Sequence, residues 1–385
     1  MVMQPAQIGA LLKRARLDWQ LSVADAAHRA SVSEVTLRVA ERSGKVSVSD
    51  LSAIAAALGG SFDDIVTGRE FWTATSIALK TSQASFELPL VRARLIATAA
   101  AANDHRALTR FLALPDQWPK GAALGPRSVP HDVVRQAEIL AAEVRTTIGA
   151  GSHPISSVRE SSAQLGVASF LTDLGTGVVD GLMWRERGSA PCIAANVAAR
   201  SGATTAIRMT LAHELCHALF DRPKTDADGI LERRTDDASG REQRANAFAA
   251  YLLAPRAAVL DSLHRLGWNQ SLPPTRQMLR SLAQYFGMGV EAMAYHLVNC
   301  QVWSKEEALR NKTFSVPYTS DDDREHSAAS PAEQRVGLER RGYVLDLATQ
   351  ALAAGRISVG RWRELIGLDI HSDWSLLLAE RHVEV

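Results

Sequence analysis

Apolar residues recur at helical spacing along most of this 385-residue chain. Ile8, Leu11, Leu12 and Ala15 share one face of a first helix. Ser22 is placed to cap a second helix carrying Val23, Ala26, Ala27 and Ala30, and Ser33 a third running to about Arg42. A fourth helix opens at Ser49, carries Leu51, Ile54, Ala55 and Leu58, and stops at Gly59-Gly60. Ser61-Phe62-Asp63-Asp64 reads as a capping box before a short fifth. Ala-rich helical pattern then continues to about residue 148, broken by a Pro/Gly-rich segment from Pro115 to Pro130.

The texture changes from Val167 to Asn196. The runs from Val167 to Leu171 and Val178 to Trp184 flank Gly175-Thr176-Gly177, which predicts a hairpin, with Cys192-Ile193-Ala194 as a third strand. A helix around His213 follows, then a polar stretch from Asp221 to Gly240, then a helix from Arg241 to Leu253 and others to about Ser304. Pro317 to Gln334 reads as a solvated linker or disordered loop. Val336 to Ala354 and Ser358 to Ile366 are helical, stopping at Gly355 and Gly367. The expected fold class is mainly α within α+β. It comprises a five-helix helix-turn-helix domain at 1–70, a helical connector at 71–150 and a zincin-like domain with a small antiparallel sheet at 151–304. A linker at 305–334 and a helical carboxy-terminal region at 335–385 complete the division.

Composition narrows the setting. A formal net charge of +1 supplies no global field for nucleic acid or membrane, so any basic surface is local. Three widely spaced cysteines, Cys192, Cys216 and Cys300, do not form a disulfide framework pattern. Met1-Val2-Met3-Gln4-Pro5 lacks a charged segment followed by an apolar one, and no apolar run reaches membrane-spanning length. The expectation is a cytoplasmic protein without a membrane partner.

The sharpest chemical signal is His213-Glu214-Leu215-Cys216-His217. Four residues apart on a helix, His213 and His217 project from one side and can share a Zn²⁺ ion, while Glu214 is set to take a proton from activated water. Ile207, Leu211, Leu215, Ala218 and Leu219 supply the apolar face of that helix. A catalytic zinc site needs a third protein ligand and an open position. Glu242 is the best placed, on a helix it shares with Phe248, Leu252 and Leu253, whose register points its carboxylate toward the core. Asp236, Asp237 and His264 are the alternatives, and Asn246, one turn after Glu242, is set to support a ligand from behind. One zinc per chain is expected. Arg208, Tyr251 and His264 are the candidates to stabilise the oxyanion formed when a carbonyl is attacked. A strand edge beside the cleft would admit an extended peptide by backbone pairing, making the substrate a polypeptide. Cys216 admits both a metal or redox reading and a packing one.

The amino-terminal helices have the ingredients of a helix-turn-helix. In that reading Ser33, Glu34, Thr36 and Arg38 face base edges, and Arg42, Lys45 and Arg14 meet phosphates. Residues 7–48 carry seven basic and four acidic side chains, a net of +3, so tight DNA binding would call for a homodimer. The same helices also suit a protein-interaction domain.

Together these motifs resemble the ImmA/IrrE family of bacterial zinc metallopeptidases preceded by an XRE-type helix-turn-helix domain, over residues 7–68 and about 155–300. The resemblance rests on Ile207 to His217, on Asp180-Gly181 and Asn196, on Glu242 with Ala245, Asn246, Phe248 and Ala249, and on Leu252-Leu253-Ala254-Pro255. The runs from Ala353 to Ser358 and Glu364 to Leu368 look like the helical tail of some fused members. The resemblance implies His213, His217 and Glu242 as zinc ligands, Glu214 as base, and a regulatory endopeptidase that cleaves an XRE-type repressor. Cys216 stands where the family has Gly; Val23 and Ser31 stand where the reader domain has Gln and Gly. The leading function is therefore a zinc endopeptidase that cleaves a repressor-type partner protein to control transcription in a stress or mobile-element response. The alternatives are a DNA-binding regulator whose zinc domain is structural or senses a ligand, and a component of a toxin–antitoxin or phage-response module.

Overall fold

The computed structural model describes residues 3–60, 62, 65, 77–78, 89–124, 132–185, 190–199, 203–221, 238–269, 272–312, 325, 330–368 and 373–383. The chain is mainly helical with a small mixed sheet, an α+β fold.

The amino-terminal region begins with α1 (Pro5–Asp18), α2 (Val23–Arg29), α3 (Glu34–Ser43) and α4 (Val48–Ala57). Ser22, Ser33 and Ser47 each accept a hydrogen bond from the backbone N–H three residues on, filling one orphan donor at the start of α2, α3 and α4. The fourth helix thus opens at Ser47, which takes the cap, and Ser49, two residues on, lies inside it. Ser31 holds the turn before α3 at φ 53°, a left-handed conformation that glycine adopts at lower cost. Leu12, Trp19, Leu37, Ile54 and Leu58 are buried between the helices, and Trp19 Nε1 donates to the Leu58 carbonyl. The fifth short helix, read from Ser61, falls largely outside the described residues.

The connector divides between two cores. Helix α5 (Pro89–Phe111) sends Val91, Leu95, Ile96 and Ala99 into the core that it shares with the amino-terminal and the carboxy-terminal helices. Arg92 and Asn103 of α5 donate to the carbonyls of Gln20 and Gly59, fastening the amino-terminal region to it. After α6 (Trp118–Ala123), α7 (Val133–Thr147) packs along the helix that carries Glu242, in the second core. Helix α8 (Val158–Gln164) leads into the sheet.

The sheet comprises β1 (Ile77–Ala78), β2 (Ala168–Thr172), β3 (Gly181–Trp184) and β4 (Cys192–Asn196), in the order β1-β3-β4-β2. The expected hairpin does not form. β4 lies between the other two long strands, antiparallel to β3 and parallel to β2, so the sheet is mixed where an antiparallel one was expected. The Gly-rich loop steps across the end of β4. There the Asn196 side chain donates to the carbonyls of Gly175 and Val179 and accepts from the amides of Leu174 and Ala198. Phe170, Leu182, Trp184 and Ala194 face the first core; Leu171, Met183, Ile193 and Ala195 face the second, as the two-residue side-chain period requires.

The second core surrounds α9 (Thr204–Phe220) and α10 (Ala238–Leu253), with α11 (Arg256–Arg265), α12 (Arg276–Phe286), α13 (Val290–Asn299) and α14 (Lys305–Asn311). Ala308 of α14 is buried there, so the stretch expected to be linker from 305 begins as part of this core. In the carboxy-terminal region α15 starts at Tyr343 (Tyr343–Ala353) and not at Val336, since Gly342 turns at φ 81°. Two short 3₁₀ turns precede it, and α16 (Val359–Ile366) and α17 (Ser375–Glu380) follow. Among the described residues, no helix is long and apolar enough to cross a membrane.

Candidate metal centre and its cleft

Helix α9 is buried on nearly every side: Leu211, Leu215, Ala218 and Leu219 are fully buried, and Glu214 and His217 nearly so. One flank opens onto a cleft of about 1120 Å³ bounded by His213, Glu214, Glu242, Asn246 and the Asp180-Gly181 end of β3. His213 Nε2 and His217 Nε2 stand 3.0 Å apart. Glu242 of α10 completes the triangle, its Oε2 3.3 Å from His213 Nε2 and its Oε1 3.4 Å from His217 Nε2. Among the described residues these three form the group of His, Cys, Asp or Glu side chains able to share an ion. Glu242 is 43% exposed and faces the cleft, not the core as its helical register suggested. It sits near the start of α10, before Ala245, Phe248 and Ala249 carry the helix into the apolar interior.

The partners behind the imidazoles settle their tautomers. His213 Nδ1 lies 3.0 Å from Asn246 Oδ1 and His217 Nδ1 2.6 Å from Asp221 Oδ2, so each Nδ1 carries the hydrogen and donates it. Both Nε2 atoms then present lone pairs to each other and to a carboxylate. Three acceptors that converge in this way need a cation between them. Metal–ligand bonds of about 2.0–2.1 Å at tetrahedral angles put ligand atoms about 3.3–3.4 Å apart, which the two carboxylate–imidazole separations match while the two imidazoles stand closer, at 3.0 Å. The donor set therefore fits zinc.

Asp221 is the residue that sequence reasoning missed here. It continues the one-turn spacing from His213 and His217, which is the signal that could have found it. Its other oxygen accepts from Arg244, two residues after Glu242, so one carboxylate ties the end of the metal helix to the helix of the third ligand. Burial works to raise the Asp221 carboxyl, but the hydrogen bond and charge of His217, with Arg244, hold it below the ordinary range. Cys216 is fully buried and meets Arg244 from beneath, outside the ligand triangle; a thiol that both packs and accepts a hydrogen bond accounts for it.

Gly181 makes room for Glu214. A Cβ there would stand 2.5 Å from Thr210 Cγ2, 2.8 Å from Glu214 Cγ and 2.9 Å from Glu214 Oε1, all inside normal contact. Only a strand without a side chain at this position lets the Glu214 carboxylate lie against it. Among the described residues β1 pairs with β3 at Met183 and Trp184, while Gly181 borders the cleft.

The other candidates are placed elsewhere. Asp236 and Asp237 lie outside the described residues. His264 is exposed on α11 beside Trp268, 5.9 Å between ring centres. The oxyanion candidates do not line the cleft. Arg208 is buried among backbone carbonyls, and the Tyr251 hydroxyl donates to the Asn299 carbonyl, where burial pushes its pKa up. On the amino-terminal helices, Ser33, Glu34, Arg38, Arg42 and Lys45 are exposed and Thr36 half-buried, and none of them belongs to the ligand group or the cleft lining. Ser33 is engaged as the cap of α3, and Arg38 is paired with Glu34 at 3.1 Å.

Residues 163–298 match the family model of the IrrE N-terminal-like domain (Peptidase_M78). This stretch resembles a metallopeptidase. The match takes in about a third of the chain, including all of the sheet except β1, the ligand triangle, Glu214 and most of the cleft, and it supports the ImmA/IrrE resemblance for that part. No curated protein and no solved structure matches the chain.

Proposed function

We propose that this chain is a cytoplasmic, regulatory zinc endopeptidase that cleaves a repressor-type partner protein and so controls transcription in a stress or mobile-element response. The observation that carries the reading is the convergence of two imidazole lone pairs and the Glu242 carboxylate at an open cleft, with Glu214 buried alongside. When bound, zinc supplies Lewis acidity, polarising a carbonyl and making water acidic enough to ionise near neutral pH. Glu214, buried beside the ligand group, would serve as the proton acceptor and would return the proton to the leaving amine. Asn246 and Asp221 keep the His213 and His217 rings turned with Nε2 toward the cleft. The β3 backbone at Gly181, beside the cleft and beyond the two residues that pair with β1, favours an extended peptide as substrate, since backbone pairs with backbone whatever the side chains. The exposed Arg38, Arg42 and Lys45 support a reader that contacts DNA, and the shared core supports one held in fixed relation to the cleft.

The test is a pulldown of partners followed by incubation with the zinc-loaded protein and with a Glu214→Gln variant. Cleavage by the first and not the second is expected, with about one zinc per chain that falls on His213→Ala or Glu242→Ala. An intact partner with the loaded wild type, or zinc retained in full by both ligand variants, would sink the reading.

A further inference from the structure

Among the described residues of the stretch from Pro317 to Gln334, Glu325 is a charged side chain placed like a core residue. Glu325 is fully buried, and its two carboxylate oxygens accept four hydrogen bonds. Oε1 accepts from the Val158 amide at 2.8 Å and from Arg208 Nη1 at 2.8 Å. Oε2 accepts from the Ser157 hydroxyl at 3.1 Å and the Arg159 amide at 3.2 Å. The lone-pair capacity of an ionised carboxylate is thereby used up.

Arg208 matters because of where it stands and what else it holds. It lies on α9, five residues before His213, and is itself fully buried. Its Nη2 donates to the Ile155 carbonyl at 2.8 Å and its Nη1 to the Ser156 carbonyl at 3.1 Å. Its Nε donates to the Gly287 carbonyl at 3.0 Å, at the end of α12. The next residues, Met288, Gly289 and Val290, form a wall of the cleft, as do Ala206, Met209 and Thr210 of α9. Arg208 is thus the bolt between the metal helix and another wall of the same cleft. Glu325 supplies the carboxylate that balances this buried guanidinium, and removing one partner of a buried ion pair is strongly unfavourable.

We infer that Glu325 is a positioning residue for the cleft: by holding Arg208 it fixes the Met288–Val290 wall relative to the metal helix. Glu325 then acts as an internal latch, and the width of the cleft depends on its carboxylate staying in place. The inference concerns the shape of the cleft and stands apart from the reaction assigned to it.

The full-length protein carrying Glu325→Ala, Glu325→Asp or Arg208→Lys is compared with wild type by hydrogen exchange. Arg208→Lys keeps the charge but cannot reach Glu325 and the Gly287 and Ile155 carbonyls together. Exchange is expected to rise by about tenfold or more in peptides covering 205–210 and 287–290, with peptides from α1 to α4 unchanged. Loaded with Co²⁺, the variants should keep the wild-type visible spectrum but bind acetohydroxamate about fivefold or more weakly, because the ligands stay while the wall moves. Exchange that rises evenly along the chain with a lowered Tm, or wild-type exchange at 287–290, would overturn the inference and leave Glu325 merely structural. Should Glu325→Ala not fold, the Asp and Lys variants decide by the same local readout. A wild type that takes up no metal would count against the proposed function alone, since the exchange experiment does not require it.

Discussion

Replacing Asp221 by Asn tests whether the metal site depends on the residue behind it. The carboxylate receives the His217 Nδ1 hydrogen through Oδ2 at 2.6 Å and Arg244 through Oδ1. Asn offers one acceptor oxygen and one NH₂ donor. Whichever way it turns, a donor faces either the His217 N–H or the Arg244 guanidinium, and the negative charge that makes His217 a stronger ligand is gone. Loss of such a support costs about 10- to 100-fold in metal affinity, which is about 1.4–2.7 kcal/mol. Competition against a chromophoric chelator at pH 7 measures it directly. The side chain is only 9% exposed, so solvent does little to screen the change. Because Arg244 also loses its partner, thermal unfolding of the metal-free protein should be recorded in parallel, and a further drop of about 1–3 kcal/mol is expected there. Zinc affinity within about twofold of wild type would refute the reasoning, since it would mean that His217 needs no partner to present Nε2.

Gly181→Ala should retain zinc but lose most partner cleavage, because its Cβ overlaps Glu214; overpacking costs about 1–3 kcal/mol, partly offset by the stiffer unfolded chain. Full activity at wild-type Tm would show that Glu214 needs no such room. His296 is fully buried, with Nε2 2.6 Å from the Ala254 carbonyl, and burial lowers its pKa from 6.5 to about 4. The folded state therefore refuses a proton that the unfolded state accepts, so stability is lost as pH falls from about 6.5 to 4, by about 3 kcal/mol for this group. Urea unfolding at several pH values should show that slope reduced by up to one proton in His296→Gln; an unchanged slope would exclude His296 as its source. Arg38→Ala with Arg42→Ala should abolish a salt-sensitive gel shift with the protein's own promoter; a shift that survives moves the contact off α3.

Features set by neighbours in the chain were legible before the structure. The one-turn spacing of His213 and His217, the caps at Ser22 and Ser33 and the helix stops at Gly355 and Gly367 follow from helix geometry and local hydrogen bonding. Asn246 was legible for the same reason, being one turn from Glu242. What depends on segments far apart was not. A Gly-rich turn between two apolar runs reads alike whether it joins paired strands or steps over a third, so β4 between β2 and β3 had no local signature. Polar composition marks a solvated stretch, yet Glu325 is buried because Arg208, more than a hundred residues earlier, supplies the opposite charge. Arg208 had the chemistry of an oxyanion donor, and only the carbonyls packed around it show that its hydrogens are already used. The sequence by itself therefore determined where the candidate metal-binding side chains stand on their own helices. The tertiary structure decided which of them meet, since a contact between distant segments depends on the packing of everything between them, a property no single stretch of sequence contains.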